Sequence, residues 1–574
     1  MADHQSSAPA APPLAPGVFG NLRFDAVAGF LVFLIAMPLC LAIARASGYP
    51  PIAGIWTAVI GGFLCSLISN SELTIKGPAA GLIVIVYGAV SELGAEFGGE
   101  LAEADRAMLG YKLALGIGVT AGVIQILFGL VRAGRLVDFF PLTPVHGMLA
   151  SIGLIIIVKQ VYEVLGATPE KGAGPLQLIA NLPAALRGLN PEIAIIGLTG
   201  LAILFGLPFV RLGWVRKVPA QLVVLLVAVG LGVAFDLEHK HTYLFPDSFF
   251  DTNHRAEYEV GPRFLVDMPE VLRDASAAFA LPDFRGVATA TGLKYVVLFA
   301  LIGSLESLLS AKAIELLDPW RRKTNFDRDL LATGLANTLA SAVGALPMIS
   351  EIVRSKANID NGARTRAANF VHGACLLAFV LLFPNLIHRI PLAALGAMLV
   401  YTGFRLASPK EFVRTYKVGS EQFVVFVGTI VVTLATDLLI GIAAGIALKV
   451  LFHLWHGVPV TGLLKSDVEV VPEGDRLVVL VVKRAAVFSN WLGVRAAVLK
   501  QAAGRDEVVI DLSHTRLVDH SVMEKLHELE REFAEGGKQL KVIGLDAHTP
   551  LSAHPLAARK NRAAGTPQEP AQVG

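Results

Sequence analysis

Charge is scarce in this sequence. Asp, Glu, Lys and Arg make up 17% of 574 residues against 54% hydrophobic, and mean hydropathy is +0.60. That balance is too apolar for a soluble enzyme of this length and places the chain among polytopic membrane proteins. Cysteine is also scarce. The three present, Cys40, Cys65 and Cys375, fall inside apolar runs without CxxC spacing, so neither a disulfide framework nor a zinc site is expected. No long basic run occurs and the net charge is only +2, which gives no reason to expect nucleic acid as a partner. The Ala-, Pro- and Ser-rich residues 1–16 lack the apolar core of a signal peptide and read as a disordered tail, as do residues 556–574. No constellation of residues supports an enzymatic function.

What is present is a succession of apolar runs. Between Asp25 and His456 there are about fourteen segments able to cross a bilayer as helices. A long polar excursion over residues 236–285 divides them into two sets of about seven, the pattern of an inverted repeat with an odd number of helices per half. Lys and Arg occupy every second connection: Arg132 and Arg135; Arg211, Arg216 and Lys217; Arg321, Arg322, Lys323 and Arg328; Arg364 and Arg366; Lys410, Arg414 and Lys417. By the positive-inside rule both termini are cytoplasmic, in a multi-pass inner-membrane protein. From Asp467 the composition changes to short β-branched runs around a charged amphipathic stretch at 521–535, which reads as a small cytoplasmic α/β domain.

Two apolar segments are broken by Gly and Pro: SELTIKGPAAGLIVIVY at 71–87 and GALPMISEIVRSKANIDNGART at 344–365. Broken segments at corresponding places in two halves point to a binding site at the middle of a transporter. A half-helix beginning there presents unsatisfied N–H groups and a positive dipole end. Gly77 and Pro78 suit the start of one such half-helix, and Pro347 with Ser350 the start of the other, whose first turn is then Glu351, Ile352 and Val353. The competing reading is a proline-kinked helix without a ligand. Charges at both breaks disfavour it, because an ionisable group at membrane depth faces a partner or a wet cavity.

The anion-binding candidates are therefore Lys76, Gly77, Pro78, Ala79 and Ala80 from the first break, with Ser350, Glu351, Ile352, Val353 and Arg354 from the second. Lys76 and Arg354 add positive potential. Glu351 opposes it unless it is paired with one of them or is protonated, in which case it joins Glu306 as a candidate for the coupling proton. Glu306, a lone carboxylate in mid-span, is a natural place for a coupling cation or proton; the alternative is a salt bridge to Lys312, six residues on and so on another face. His239, His241 and His254 lie near acidic residues in the long excursion but lack metal-ligand spacing.

The first span, with Asp25, Ala28, Gly29, Pro38, Ala42, Gly48 and Pro50, resembles the opening signature of the SulP anion permeases. Gly77-Pro78, Glu306, the run from Asn325 through Asp329, Gly334 and Asn337 to Pro347, and Arg354, Asn358, Gly362, Ala363, Arg364 and Thr365 extend the resemblance; Glu351 and Val353 stand where that family commonly has small hydroxyl residues. The segment VVIDLSHTRLVDHS resembles the signature of a STAS domain. The resemblance implies a uracil-permease-like fold of 7+7 inverted repeats, with a core domain moving against a gate domain, and homodimers. The implied boundaries are a tail at 1–24, a transmembrane domain at 25–457, a STAS domain at 462–555 and a tail at 556–574. It further implies secondary active transport of a small anion such as bicarbonate or sulfate, with no cofactor beyond a sodium ion or proton as coupling ion. An anion exchanger or channel-like member for chloride or dicarboxylates, or a nucleobase symporter on the same fold, are the alternatives.

Overall fold

The computed structural model describes Leu14 and residues 19–134, 141–170, 173–210, 218–248, 251–274, 278–473, 477–503 and 505–562. Apolar composition drives the first half into α1 (Leu22–Ala46) and α2 (Pro51–Ile68), then, after a short strand β1 (Lys76–Pro78), into α3 (Ala80–Gly98), α4 (Glu103–Leu130), α5 (Leu142–Leu165), α6 (Pro191–Phe209) and α7 (Ala220–Ala234). The polar excursion forms a hairpin of β2 (His241–Ser248) and β3 (Asp251–Val260). The second half then runs through α8 (Ala290–Leu317), α9 (Phe326–Ala342), a strand β4 (Met348–Ser350), α10 (Ile352–Asp360), α11 (Ala367–Leu382), α12 (Leu392–Leu406), α13 (Ser420–Ala435) and α14 (Leu438–Trp455). Apart from connecting helices at Pro175–Ala180, Leu182–Arg187, Pro384–His388 and Pro409–Val418, the described residues thus offer seven helices in each half, and in each half the third is preceded by a strand.

Those strands explain how the chain tolerates non-helical backbone among apolar helices, where an unpaired N–H or C=O has no water to satisfy it. β1 and β4 pair antiparallel, Lys76 opposite Ser350, Gly77 opposite Ile349 and Pro78 opposite Met348. Beyond the pair, the Glu351 N–H donates to the Ile75 carbonyl at 2.9 Å. Side chains take up other strand groups. Asn337 accepts from the Met348 N–H at 2.6 Å and donates to the Met348 carbonyl at 3.2 Å. Ser355 Oγ accepts from the Ile75 N–H, Ser307 Oγ from the Ser350 N–H and Asn369 Oδ1 from the Lys76 N–H.

The sequence places Pro78 and Pro347 at helix starts. Instead Pro78 closes β1 and Pro347 precedes β4, and the helices begin later, at Ala80 and Ile352. Proline disfavours helix in the residue before it, and the cross-chain pairing draws both segments into extended form. The strand pair lies against a wide π turn at Gly61–Cys65 in α2. There Gly62 and Gly373 of α11 meet backbone to backbone, so a side chain at Gly62 would collide with Gly373 and the Asn369 carbonyl.

The chain divides into two compact units, residues 1–134 with 153–405, and residues 135–152 with 406–574. Both breaks lie in the first. In the second, after α14, come β5 (Asp467–Glu473), β6 (Leu477–Ala486), α15 (Trp491–Gln501), β7 (Glu507–Asp511), β8 (Thr515–Val518), α16 (His520–Glu535), β9 (Gln539–Ile543), β10 (His548–Pro550) and β11 (Arg559–Asn561). They form one sheet in the order β10-β11-β8-β6-β7-β9, with β5 also paired to β6. Alternate residues of β6, Val478, Leu480 and Val482, pack with Trp491, Val494 and Val498 of α15 and with Val522, Leu526 and Leu529 of α16. This is the small α/β domain expected from the sequence. Two boundaries shift: helical structure starts with a turn at Phe19–Asn21, inside the tail expected at 1–24, and β11 lies inside the tail expected at 556–574. The remainder of both tails, residues 1–13, 15–18 and 563–574, and the loop basic residues Arg135, Arg211, Arg216 and Lys217 lie outside the described residues.

Candidate functional site

The two breaks converge on a small group of charged side chains. Lys76, on β1, is 1% exposed and its Nζ is fully engaged, at 2.9 and 2.8 Å from the two oxygens of Asp329, 2.6 Å from Ser350 Oγ and 3.2 Å from Thr333 Oγ1. Lys76 therefore does not pair with Glu351, and Asp329 neutralises it. Its charge and the Ser350 hydroxyl serve the strand pair and α9. Asp329 and Thr333 belong to a set with Asn337 and Ser341 that recurs every fourth position of α9 and is buried throughout, so one face of the helix is polar and turned inward.

Arg354 is the opposite case. It is 1% exposed on the first turns of α10, yet Nε has no partner. Nη1 reaches only Cys40 Sγ at 3.4 Å, and Nη2 only the Pro78 carbonyl at 3.5 Å. The guanidinium can lie against β1 because residue 77 is glycine: a Cβ there would strike Nη1. A buried guanidinium with five donors and such weak company is a ready partner for an anion.

Two carboxylates adjoin it. Glu351 precedes α10 but makes no side-chain cap to its own helix. Its carboxylate instead lies near the backbone N–H of Ala80, at the start of α3, and within reach of the Arg354 charge. Its Oε1 is buried without a partner, and so is Oε2 of Glu306, on α8. Glu306 rests against Gly81, where any Cβ would overlap the carboxylate. Ala79 is buried and extended ahead of α3, while Ile352 points away, 43% exposed. Val353 is half-buried. The structure thus brings together Gly77, Pro78, Ala80, Glu351, Arg354 and Glu306, and turns Lys76 and Ser350 toward Asp329.

Sequence reasoning missed two members of this neighbourhood. Cys40 lies against Arg354. His372 of α11 is 0% exposed with both ring nitrogens unpartnered, under the influence of the Arg354 charge. A lone histidine in an apolar run was the available signal. No cluster of His, Cys, Asp or Glu able to hold a metal occurs among the described residues. Beside α1 and α3 a cavity of about 410 Å³ is lined by Ala42, Arg45, Tyr87, Glu92, Lys159 and Glu163, with Lys159 Nζ 3.6 Å above the Tyr87 ring and Arg45 3.6 Å from Glu163.

The model of the sulfate permease family matches residues 22–429, which contain both breaks and all of these groups. The chain belongs to that family. Among its relatives, the putative sulfate transporter YvdB of Bacillus subtilis is 25% identical over 528 residues, 91% of each chain. The bicarbonate transporter BicA of a Picosynechococcus is 26% identical over 429 residues, 75% of this chain and 69% of its own. Among solved structures, the transmembrane domain of a cyanobacterial BicA is similar with a TM-score of 0.58 at 22% identity, covering 74% of this chain and 97% of that one. Murine Slc26a9, an anion transporter in the inward-facing state, is similar with a TM-score of 0.64 at 14% identity, covering 92% and 86%. As a member of the sulfate permease family the chain is a membrane anion transporter, not an enzyme, and its fold is that of these transporters.

Proposed function

We propose that this protein is a secondary active transporter of a small inorganic oxyanion, bicarbonate or sulfate, coupled to sodium ions or protons. The single observation that carries the reading is Arg354, a buried guanidinium with an unpartnered Nε placed where the breaks of both halves meet. The anion lies between Gly77–Ala80 and the start of α10, drawn by Arg354 and by the N–H groups that open α3 and α10. Glu306 and Glu351 are the groups that handle the coupling ion. The cavity lined by Arg45 and Lys159 serves as an approach to the site, and a core carrying both breaks moves against the remaining helices to expose it alternately to the two sides. The protein works as a homodimer in the bacterial inner membrane with both termini cytoplasmic. The names of YvdB and BicA support the choice of anions.

The test is uptake of labelled sulfate and bicarbonate into proteoliposomes, with and without sodium and at two pH values. Concentrative uptake of one anion, driven by an imposed sodium or proton gradient and lost in Arg354→Ala, is the expected result. Uptake that only equilibrates its ligand would mark a channel. Uracil uptake in place of either anion would mark a nucleobase symporter.

A further inference from the structure

We propose that the Glu351 carboxylate is a tethered competitor of the transported anion, occupying the position between the start of α3 and Arg354 that the anion takes, so that the anion binds when Glu351 is displaced or protonated. The proposal rests on the reading that an anion binds between the two breaks. It follows from where Glu351 puts its charge. A residue in the N-cap position ordinarily serves its own helix, but Glu351 makes no such bond to α10 and its carboxylate faces the Ala80 N–H of the other half-helix. That N–H, at the start of a helix of nineteen residues, together with a buried and under-used guanidinium, is the equipment a free oxyanion would use. A carboxylate of the chain itself stands beside it.

Its engagement there is incomplete. An ionised carboxylate accepts at about four lone-pair sites, and Oε1 of Glu351 is buried with none of them used. The groups facing it from the packed elements are Arg354 on its own helix, Glu306 on α8 and Cys40 on α1. His372 on α11 stands beside Arg354. Lys76 on β1 offers nothing, being bound to Asp329. Among the described groups facing it, the cation an incoming anion finds is therefore Arg354, with the Glu351 carboxylate nearby and a second carboxyl group, Glu306, next to Glu351. Seating it beside an ionised Glu351 would set two negative charges against one positive charge, with the Glu306 carboxyl close by. When Glu351 takes a proton from the aqueous phase, its charge is cancelled, the Ala80 N–H and the guanidinium are released, and the anion binds. When the anion leaves, Glu351 gives up the proton and returns. One proton accompanies one anion, and the ligand that best fits the vacated place is carboxylate-shaped: planar and monovalent, with bicarbonate its inorganic member.

Formate is a suitable probe, because it has that shape and keeps its charge from mildly acidic to mildly alkaline pH. Binding of formate to the purified full-length protein is measured by calorimetry across that range for wild type, Glu351→Gln, Glu351→Ser and Arg354→Ala, each checked for an unchanged elution profile. The wild-type affinity is expected to fall with rising pH, by up to tenfold per pH unit. Glu351→Gln and Glu351→Ser are expected to bind at least tenfold more tightly than wild type at alkaline pH, with the pH dependence gone. Wild-type affinity that does not change with pH, or Glu351 variants that bind no more tightly than wild type, overturns the proposal. If Arg354→Ala binds as well as wild type, or wild type binds neither formate, bicarbonate nor sulfate, the anion-site reading itself is overturned, and the proposal with it.

Discussion

Lys76 and Arg354 are both cationic, both 1% exposed and on facing breaks, yet they do different work. Lys76 is paired at 2.8 Å with Asp329, and a buried pair is costly to break from one side because the remaining charge is stranded. Lys76→Met or Asp329→Leu alone should cost about 3–5 kcal/mol. The double variant should recover much of that, a comparison read by thermal unfolding of the purified protein. Gly81→Ala tests another kind of dependence. Its new methyl overlaps Glu306, so uptake should be lost while elution and melting behaviour stay close to wild type. The lone charges in apolar runs, Glu306, Glu351 and Arg354, stood out as candidates in the sequence, and the structure gathers them near the two breaks. The neutralisation of Lys76 was not, because its partner is 253 residues away and nothing local marks the two as neighbours.

Among the elements, the two breaks were visible as Gly-Pro interruptions, but the strand pair that results was not. Proline suits the first position of a helix, and only knowledge of the partner strand reveals that extended backbone is preferred. A trace of it did exist. The four-residue spacing of Asp329, Thr333, Asn337 and Ser341 marks a polar face on an apolar helix, and that face is what receives β1 and β4. A comparable tie fixes the far end of α10. Asp25 of α1 accepts the N–H groups of Arg364 and Thr365 at 2.7 and 2.9 Å and the Thr365 hydroxyl at 2.6 Å. Asp25→Ala would leave these donors without their acceptor, at about 1–3 kcal/mol for each that stays buried. A lowered melting temperature with Asp25→Ala, and a smaller drop with Asp25→Asn, is the expected observation.

For the whole molecule, the division into two sets of seven and the added α/β domain could be read from hydropathy and composition, because span length and β-branched runs are local properties. The hairpin of β2 and β3 and the attachment of α14 to the sheet domain could not, because they depend on distant pairings. That attachment is polar and buried. Lys449 donates to Ser521 at 2.6 Å, and Asp519 lies 3.5 Å from Lys449 and 3.4 Å from His453. Burial by itself would raise the Asp519 carboxyl, but Lys449, His453 and the Val522 N–H hold it well below the usual carboxylate range. With a depressed folded value, its stabilising contribution is complete above the unfolded value of about 3.9 and is lost as pH falls through the folded one. Asp519→Asn should remove that contribution already at neutral pH. It should speed proteolysis between α14 and β5 and make the rate less sensitive to acid than in wild type.

The strand pair at the centre of the first unit also sets a timetable for making the protein. Lys76 leaves the ribosome 253 residues before Asp329 and 274 before Ser350, an interval of roughly 13–50 s at ordinary synthesis rates of about 5–20 residues per second. Through that time β1 has no strand to pair with and its lysine no counter-charge. The first half therefore has to wait inside the insertion machinery, or at a watery margin of it, until the second half arrives, and a nascent chain stopped before β4 is a substrate for quality control rather than half a transporter.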